Sequence, residues 1–324
     1  FIISYNDASI IDKILLDRVH RIKFNGLSLN DKLVVANSHI LPEIYKKMGL
    51  INMVEFKEDA LKFIIEEYTM EQGVRRLKNI LYEIVGEINI NVLKTLGDKD
   101  FPIVIGINEL TTIYFKNKQE IITRMVPSNS QIGFINGMYA TVNGNGGTLP
   151  IHVMFFPSNK FLELKLTSQQ GIDMTDSSHV ALTVAWNMTS QTQQHNLRKL
   201  YDGEYKQGIH SNPGDCCSIQ KSGPSASCAV AIVIYSLINN IKIRPNIAVT
   251  GELQLTGNIT AIGGLDVKII YSIKSGINTF LFPKENKRDF DKFYEKYKND
   301  KQFENVNFYP ISHVQEAFDI CFEQ

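Results

Sequence analysis

Two residues form a pair able to do chemistry. Ser225 sits in Gly223-Pro224-Ser225-Ala226, and Lys268 follows 43 residues later in Ile262-Gly263-Gly264-Leu265-Asp266-Val267-Lys268. Proline fixes φ and donates no hydrogen bond, so Pro224 suits the first turn of a helix. The apolar run from Ala229 to Ile234 would anchor that helix in a core. A serine at its mouth would hold its Oγ where unsatisfied first-turn N–H groups and the helix dipole favour a developing oxyanion. Gly223 and Ala226 flank and support it. A serine in such a place is, taken alone, more often a helix N-cap than a nucleophile.

Lys268 alters that balance. It falls in the first turn of its expected helix, where the positive helix end disfavours a cation. Burial there would push the ammonium toward the neutral amine, a usable general base near neutral pH. Thr250, at the end of the strand expected over Asn246–Thr250, could hydrogen-bond that amine. The pair outlines a hydrolase that works through a covalent serine intermediate. A Ser-His-Asp triad is the competing arrangement, with His210 and Asp215 nearest in sequence. No histidine lies in a Gly-x-Ser-x-Gly context, so the triad ranks below the dyad. No HExxH or paired-histidine spacing points to a metal.

The rest of the chain must position this pair. Its 324 residues are enough for two or three domains, and 44% hydrophobic with 21% charged residues is ordinary for a soluble globular protein. Lys+Arg and Asp+Glu both number 34, which removes a global electrostatic case for nucleic acid or an anionic membrane. No apolar run is long enough to span a bilayer. Four cysteines without a CxxC, two of them the adjacent Cys216 and Cys217, fit a reducing compartment: the cytoplasm, or the mitochondrial matrix.

Residues 1–24 read as strand, short helix (Ile10 to Leu16) and strand, too little for a core of their own, and Phe1 falls inside a strand-like run, so a region upstream is expected. Residues 28–96 read as helical. Ser28 and Asn30 are N-cap candidates before Lys32 to Met48, with a break at Pro42. Leu61, Ile64 and Ile65 make one stripe, and Val74, Leu77, Leu81, Ile84 and Ile88 another. From about Pro102 the pattern turns to β. Gly137 to Val142 and Leu149 to Phe156 flank a Gly-rich stretch that reads as a hairpin loop rather than a phosphate loop. One helix is expected over His179 to Leu200. After the Ser225 helix come the strand Asn246–Thr250, a hairpin around Thr256-Gly257-Asn258, the Lys268 helix, a strand Thr279–Phe282, a helix Asp289–Tyr297, a short strand Val306–Tyr309 and a terminal helix Val314–Phe322. Alternating strands and helices make this half α/β or α+β.

These residues resemble the Lon protease family. Lys221-Ser222-Gly223-Pro224-Ser225-Ala226-Ser227 is similar to its nucleophile motif, Lys/Pro-Asp-Gly-Pro-Ser-Ala-Gly. Thr250-Gly251-Glu252 matches its Thr-Gly-Glu, and Ile262-Gly263-Gly264-Leu265 with Lys268 resembles Ile-Gly-Gly-Leu-Lys-Glu-Lys, whose second lysine is the catalytic one. Pro283-Lys284-Glu285-Asn286-Lys287-Arg288-Asp289 is a further family segment. Toward the N-terminus, Ser4-Tyr5-Asn6 resembles the sensor-1 strand of an AAA+ module. Leu15-Leu16-Asp17-Arg18 resembles its arginine-finger segment, and Tyr68 to Arg75 resembles its sensor-2 helix. Three positions depart from the motifs. Ser222 replaces an aspartate, Ser227 replaces a glycine and so adds a side chain beside the nucleophile, and Asp266 replaces the first lysine of Lys-Glu-Lys.

The resemblance implies a multi-domain chain: an all-α small AAA+ domain followed by an α/β (α+β) protease domain. Residues 1–24 would be the end of an AAA+ α/β subdomain and 25–98 the small helical subdomain. Residues 99–128 would be a linker with a first strand, and 129–324 the peptidase domain. It implies an ATP-dependent serine endopeptidase with Ser225 and Lys268 as a dyad, supported by Thr250, Ala226 and Gly223. Asn6, Arg18 and Arg75 would be nucleotide-sensing residues. Polypeptide substrates and a ring of six identical subunits follow from the same resemblance. No GxxxxGK[ST] occurs, so no cofactor is expected in this chain itself, while ATP and Mg²⁺ are expected for the complete enzyme. Two rivals come from the same residues. The changes at Ser222 and Ser227 are compatible with a catalytically weak ring scaffold or holdase. The basic pairs Lys46-Lys47 and Arg75-Arg76 could bind nucleic acid, although a solvated helix face or a nucleotide sensor accounts for them more simply.

Overall fold

A computed structural model describes the chain except residues 1, 6–10, 23, 25, 70, 72, 96–100, 119–124, 142–145, 203–205, 215–221, 299 and 324. The chain divides into two compact units. One spans Phe1–Thr123, and the other is built from Arg124–Thr141 and Gly146–Gln324.

In the first unit the only element before residue 28 among the described residues is the single-turn helix α1 (Lys13–Leu16). Among the described residues the two flanking segments expected as strands are not strands. A strand exists only against a partner, and Ile2 and Phe24 are instead almost fully exposed and Ile22 largely so. Ser28, not Asn30, caps α2 (Leu29–Val35): its Oγ accepts from the Asp31 N–H while the Asp31 carboxylate accepts from the Ser28 N–H. The helix then widens into a π-turn over Ala36–Ile40 and resumes as α3 (Leu41–Met48), with Pro42 in its first turn. The break expected at Pro42 is therefore this π-turn, which takes up the missing proline N–H.

The apolar stripes behave as their spacing requires. Leu61 in α4 (Glu58–Phe63), Ile64 and Ile65 are buried, as are Leu77, Leu81, Ile84 and Ile88 in α5 (Arg75–Thr95). Leu81→Ala is expected to destabilise this unit by about 2–5 kcal/mol, read as a shift in the urea midpoint at constant slope.

One pairing was not expected. β1 (Val54–Phe56) lies parallel to β2 (Ile103–Ile105) inside this unit, followed by the short helix α6 (Ile107–Glu109). The first strand, read as part of the linker region 99–128, thus belongs to the first unit. The compact units part at residues 123 and 124, inside the segment 99–128 read as a linker.

The second unit is a seven-stranded sheet with helices on both faces. β3 (Phe134–Ala140) and β4 (Gly146–Pro157) form an antiparallel pair. β5 (Leu164–Leu166) and β6 (Gln207–Pro213) complete one side. β7 (Ile247–Val249), β10 (Thr279–Pro283) and β11 (Asn307–Ile311) complete the other, in the order β11-β10-β7-β3-β4-β6-β5. The pairs from β11 to β3 are parallel. Alternation along the strands decides which layer each residue joins. Ile247, Val249 and Leu281 enter a core with α7 (Ile172–Met188), α9 (Ser227–Asn239) and α12 (Val314–Cys321). Ala248, Phe280 and Phe282 face the other way, into a core with α10 (Leu265–Ile273) and α11 (Lys287–Tyr297). A strand buried on both faces reads as a continuous apolar run, which is why these two were legible.

The helix expected over His179 to Leu200 is two helices, α7 and α8 (Gln191–Asp202). Thr189 takes an extended conformation at the α7 C-cap while its Oγ1 donates to the Ala185 carbonyl, and Ser190 Oγ accepts from the Gln193 N–H. Consecutive hydroxyl residues thus supply one helix end and the next beginning. Between β7 and α10, the hairpin β8 (Glu252–Leu253) and β9 (Ile259–Thr260) forms where the sequence placed it. No helix among the described residues is long and apolar enough to cross a membrane.

Candidate active site

The site is assembled from three loops in the second unit. Gly223 has φ +98°, a conformation that L side chains rarely adopt, and a Cβ there would meet nothing. Glycine is thus required by the backbone and not by space. It turns the chain into a single 3₁₀ turn, Pro224–Ala226, which runs on into α9. α9 is apolar on all sides and buried nearly throughout, so the turn in front of it rests on a rigid base. Ser225 is part-buried at this turn. It does not cap α9: the N-cap position is Ala226, with no side-chain cap bond. The simple cap explanation for Ser225 therefore does not hold.

Thr250 follows β7, and its N–H donates to the Leu281 carbonyl at 3.0 Å, extending the strand pairing by one residue. The Ser225 carbonyl accepts from the Gly251 N–H at 2.8 Å and from Thr250 Oγ1 at 3.2 Å. The nucleophile candidate is thereby held by its own backbone to the carboxyl end of a central parallel strand, the usual place for a site in an α/β sheet.

Lys268 is the fourth residue of α10, and its N–H makes the first helical bond, to the Gly264 carbonyl. Gly264, at φ +68°, sets the direction of the helix. Lys268 is 3% exposed, and its Nζ lies 2.9 Å from Ser225 Oγ and 3.1 Å from Thr250 Oγ1. Burial alone pulls its pKa from the ordinary 10.5 down to about 8. Asp266, two residues earlier, is exposed in the first helical turn, where a carboxylate suits the dipole.

The loop leading to α10 is held from outside. Asn286, itself buried, accepts from the Ile262 N–H at 2.9 Å and donates to the Ile262 carbonyl at 2.9 Å, and Glu285 accepts from the Ala261 N–H at 2.8 Å. An asparagine side chain thus takes the place of a neighbouring strand. The motif around Pro283 contained this residue, but nothing local assigned it a partner. Asn286→Ala is expected to cost about 1–3 kcal/mol through the two unpaired backbone groups of Ile262, measured by urea denaturation.

The other candidates fall elsewhere. His210, on β6, meets Thr167 Oγ1 through Nε2 at 3.2 Å and the ring of Phe156, and Asp215 lies outside the described residues. The basic side chain beside Ser225 Oγ is that of Lys268. Ser222 is exposed, whereas Ser227, at the first position of α9, is 1% exposed and bonded on three sides. Arg18 follows α1, and its guanidinium donates to the Ile14 carbonyl. Arg75 begins α5 and is exposed, while Asn6 lies outside the described residues. The Glu71 carboxylate accepts from the Arg76 and Leu77 N–H groups, so the first turn of α5 already has its anion. Among the described residues no cluster of His, Cys, Asp or Glu could hold a metal.

The Lon protease (S16) C-terminal proteolytic domain matches residues 108–323, and the Lon protease AAA+ ATPase lid domain matches residues 46–99. A Lon protease homolog of Acanthamoeba polyphaga mimivirus is 29% identical, over 90% of this chain and 33% of the relative. The Lon protease of Borrelia duttonii is 29% identical, and that of Methanosarcina barkeri 32%, each over 99% of this chain and 38% of the relative. The chain therefore spans little more than a third of the length of these relatives. A helical lid region followed by a mixed α/β protease domain, matched by both domain families and by relatives along nearly the whole sequence, means that the chain belongs to the Lon protease family.

Proposed function

We propose that this chain carries the proteolytic centre of an ATP-dependent serine endopeptidase that uses a Ser225–Lys268 dyad on unfolded polypeptide. The observation that supports it most is the buried Lys268 amine 2.9 Å from Ser225 Oγ, with its pKa drawn down to about 8. A neutral amine has two N–H bonds and one lone pair. Donating one N–H to Thr250 Oγ1, at 3.1 Å, leaves the lone pair free to face Ser225.

In the acylation step Ser225 Oγ bonds to the scissile carbonyl carbon as its proton passes to Lys268 Nζ. The oxyanion is held by amides of the 3₁₀ turn, Ala226 among them. The C–N bond then breaks as the Lys268 ammonium returns the proton to the leaving amine, giving a Ser225 ester and neutral lysine. Water, deprotonated by the same amine, cleaves the ester.

ATP and Mg²⁺ would drive the complete enzyme from a nucleotide site to which Arg18 and Arg75 contribute. Six copies would form a ring. A scaffold without catalysis needs no lysine buried against a serine, which carries a desolvation cost and returns nothing to the fold. Nucleic-acid binding has less support: Lys47 pairs with Glu43 at 2.7 Å, and Lys78 holds the other oxygen of the same carboxylate.

A fluorogenic peptide assay on wild type and the Ser225→Ala variant tests the peptidase. A second test concerns the nucleotide. The purified chain is expected to release no phosphate from ATP in a coupled assay, and turnover lost on replacing Arg75 would overturn that division of labour.

A further inference from the structure

We propose that Ser227 is a positioning residue for the nucleophile, tying the turn that carries Ser225 to the strand end that carries Thr250. The inference rests on the peptidase reading above. Ser227 Oγ accepts from the Leu253 N–H at 2.8 Å and donates to the Pro224 carbonyl at 2.7 Å, with the Gly251 carbonyl at 3.3 Å. One hydroxyl has one proton, so the nearer Pro224 carbonyl takes most of it. That same carbonyl also receives the Ser227 N–H, so two donors fix it.

The stitch runs between two segments that each carry part of the site. On one side is the turn 224–228 with Ser225. On the other is 250–253, with Thr250 against the Lys268 amine. Gly251 N–H donates to the Ser225 carbonyl at 2.8 Å, and Cys228 N–H donates to the Gly251 carbonyl at 3.2 Å. Ser227 adds the side-chain bonds that close this ladder at its far end. Glycine, which the nucleophile motif carries at this position, has no hydroxyl to offer. The serine that looked like a departure beside the nucleophile is thus buried, satisfied and built into the site.

The mechanical consequence follows from geometry. With Ser227→Ala the Leu253 N–H loses this acceptor and the Pro224 carbonyl loses one donor, so the turn bearing Ser225 is free to shift relative to Thr250 and Lys268. Misplacement of an attacking atom by a fraction of an ångström is felt in the transition state rather than in substrate binding. Ser227→Ala and Ser227→Gly are therefore expected to lower kcat about tenfold or more while KM moves less than about twofold.

The experiment uses the full chain with a fluorogenic peptide, a peptide boronate that bonds to Ser225 Oγ, and the matching peptide carboxamide that does not. Expected are weaker boronate binding in both Ser227 variants, unchanged carboxamide binding, and an intermediate kcat for Ser227→Cys, whose thiol is a poorer hydrogen-bonding group. A lower melting temperature with kcat and boronate affinity at wild-type values would make Ser227 merely structural and overturn the inference. Activity surviving in Ser225→Ala would instead overturn the peptidase reading, so the two failures are told apart.

Discussion

Ser225→Ala is expected to reduce peptide cleavage to background, a loss of at least about 10³-fold in kcat, while the protein remains folded. On the proposed mechanism the loss is large, because Ser225 Oγ is there the atom that bonds to substrate and neither hydroxyl described beside it can replace it. Thr250 Oγ1 is buried and engaged with the Ser225 carbonyl, and Ser227 Oγ is buried and engaged with Pro224. The fold should tolerate the change. Ser225 Oγ caps no helix, its backbone bonds to Gly251 and Thr250 do not use the hydroxyl, and Lys268 keeps Thr250 as a partner. A stability change within about 1 kcal/mol is expected. Cleavage at the wild-type rate by the purified variant would remove Ser225 from the mechanism.

Lys268→Arg is expected to be nearly as inactive, because a guanidinium stays protonated at any useful pH and cannot accept the serine proton. In the wild type, activity should rise with pH through one ionisation near 8, the value to which burial pulls this amine, and Lys268→Ala should lose that limb. The same burial has a thermodynamic signature. The folded chain releases the lysine proton at about 8 and the unfolded chain at about 10.5, so between these values the unfolded state binds more protons. Stability then rises with pH across that window, and below it the buried ammonium costs on the order of 3 kcal/mol. Lys268→Met, of similar shape and without charge, should be more stable than wild type at pH 7, with the gap closing toward pH 10.5. Urea denaturation at the two pH values measures this. A Lys268→Arg variant that retains most of its turnover would overturn the dyad.

Much of this was legible before any coordinates. The stripe of Leu77, Leu81, Ile84 and Ile88 has helical period, and the runs around Ile247–Val249 and Thr279–Phe282 are apolar on both faces, so elements and class followed from local pattern. Gly223-Pro224 ahead of an apolar run marks a helix mouth because glycine permits a turn closed to other residues and proline fixes its own φ. What local pattern could not supply was pairing at a distance. β1 and β2 are three-residue strands that exist only through each other, nearly fifty residues apart, and among the described residues the strand-like flanks of α1 pair with nothing of this kind. Asn286 and Ser227 are ordinary polar residues in sequence, and become parts of the site only because packing sets backbone groups from other segments within 3 Å of them. Ser225 and Lys268 were recognisable as types at a spacing. Their 2.9 Å contact and the low pKa of the amine belong to the tertiary structure alone, because a pKa responds to the water removed from around a group, and only the assembled core removes it.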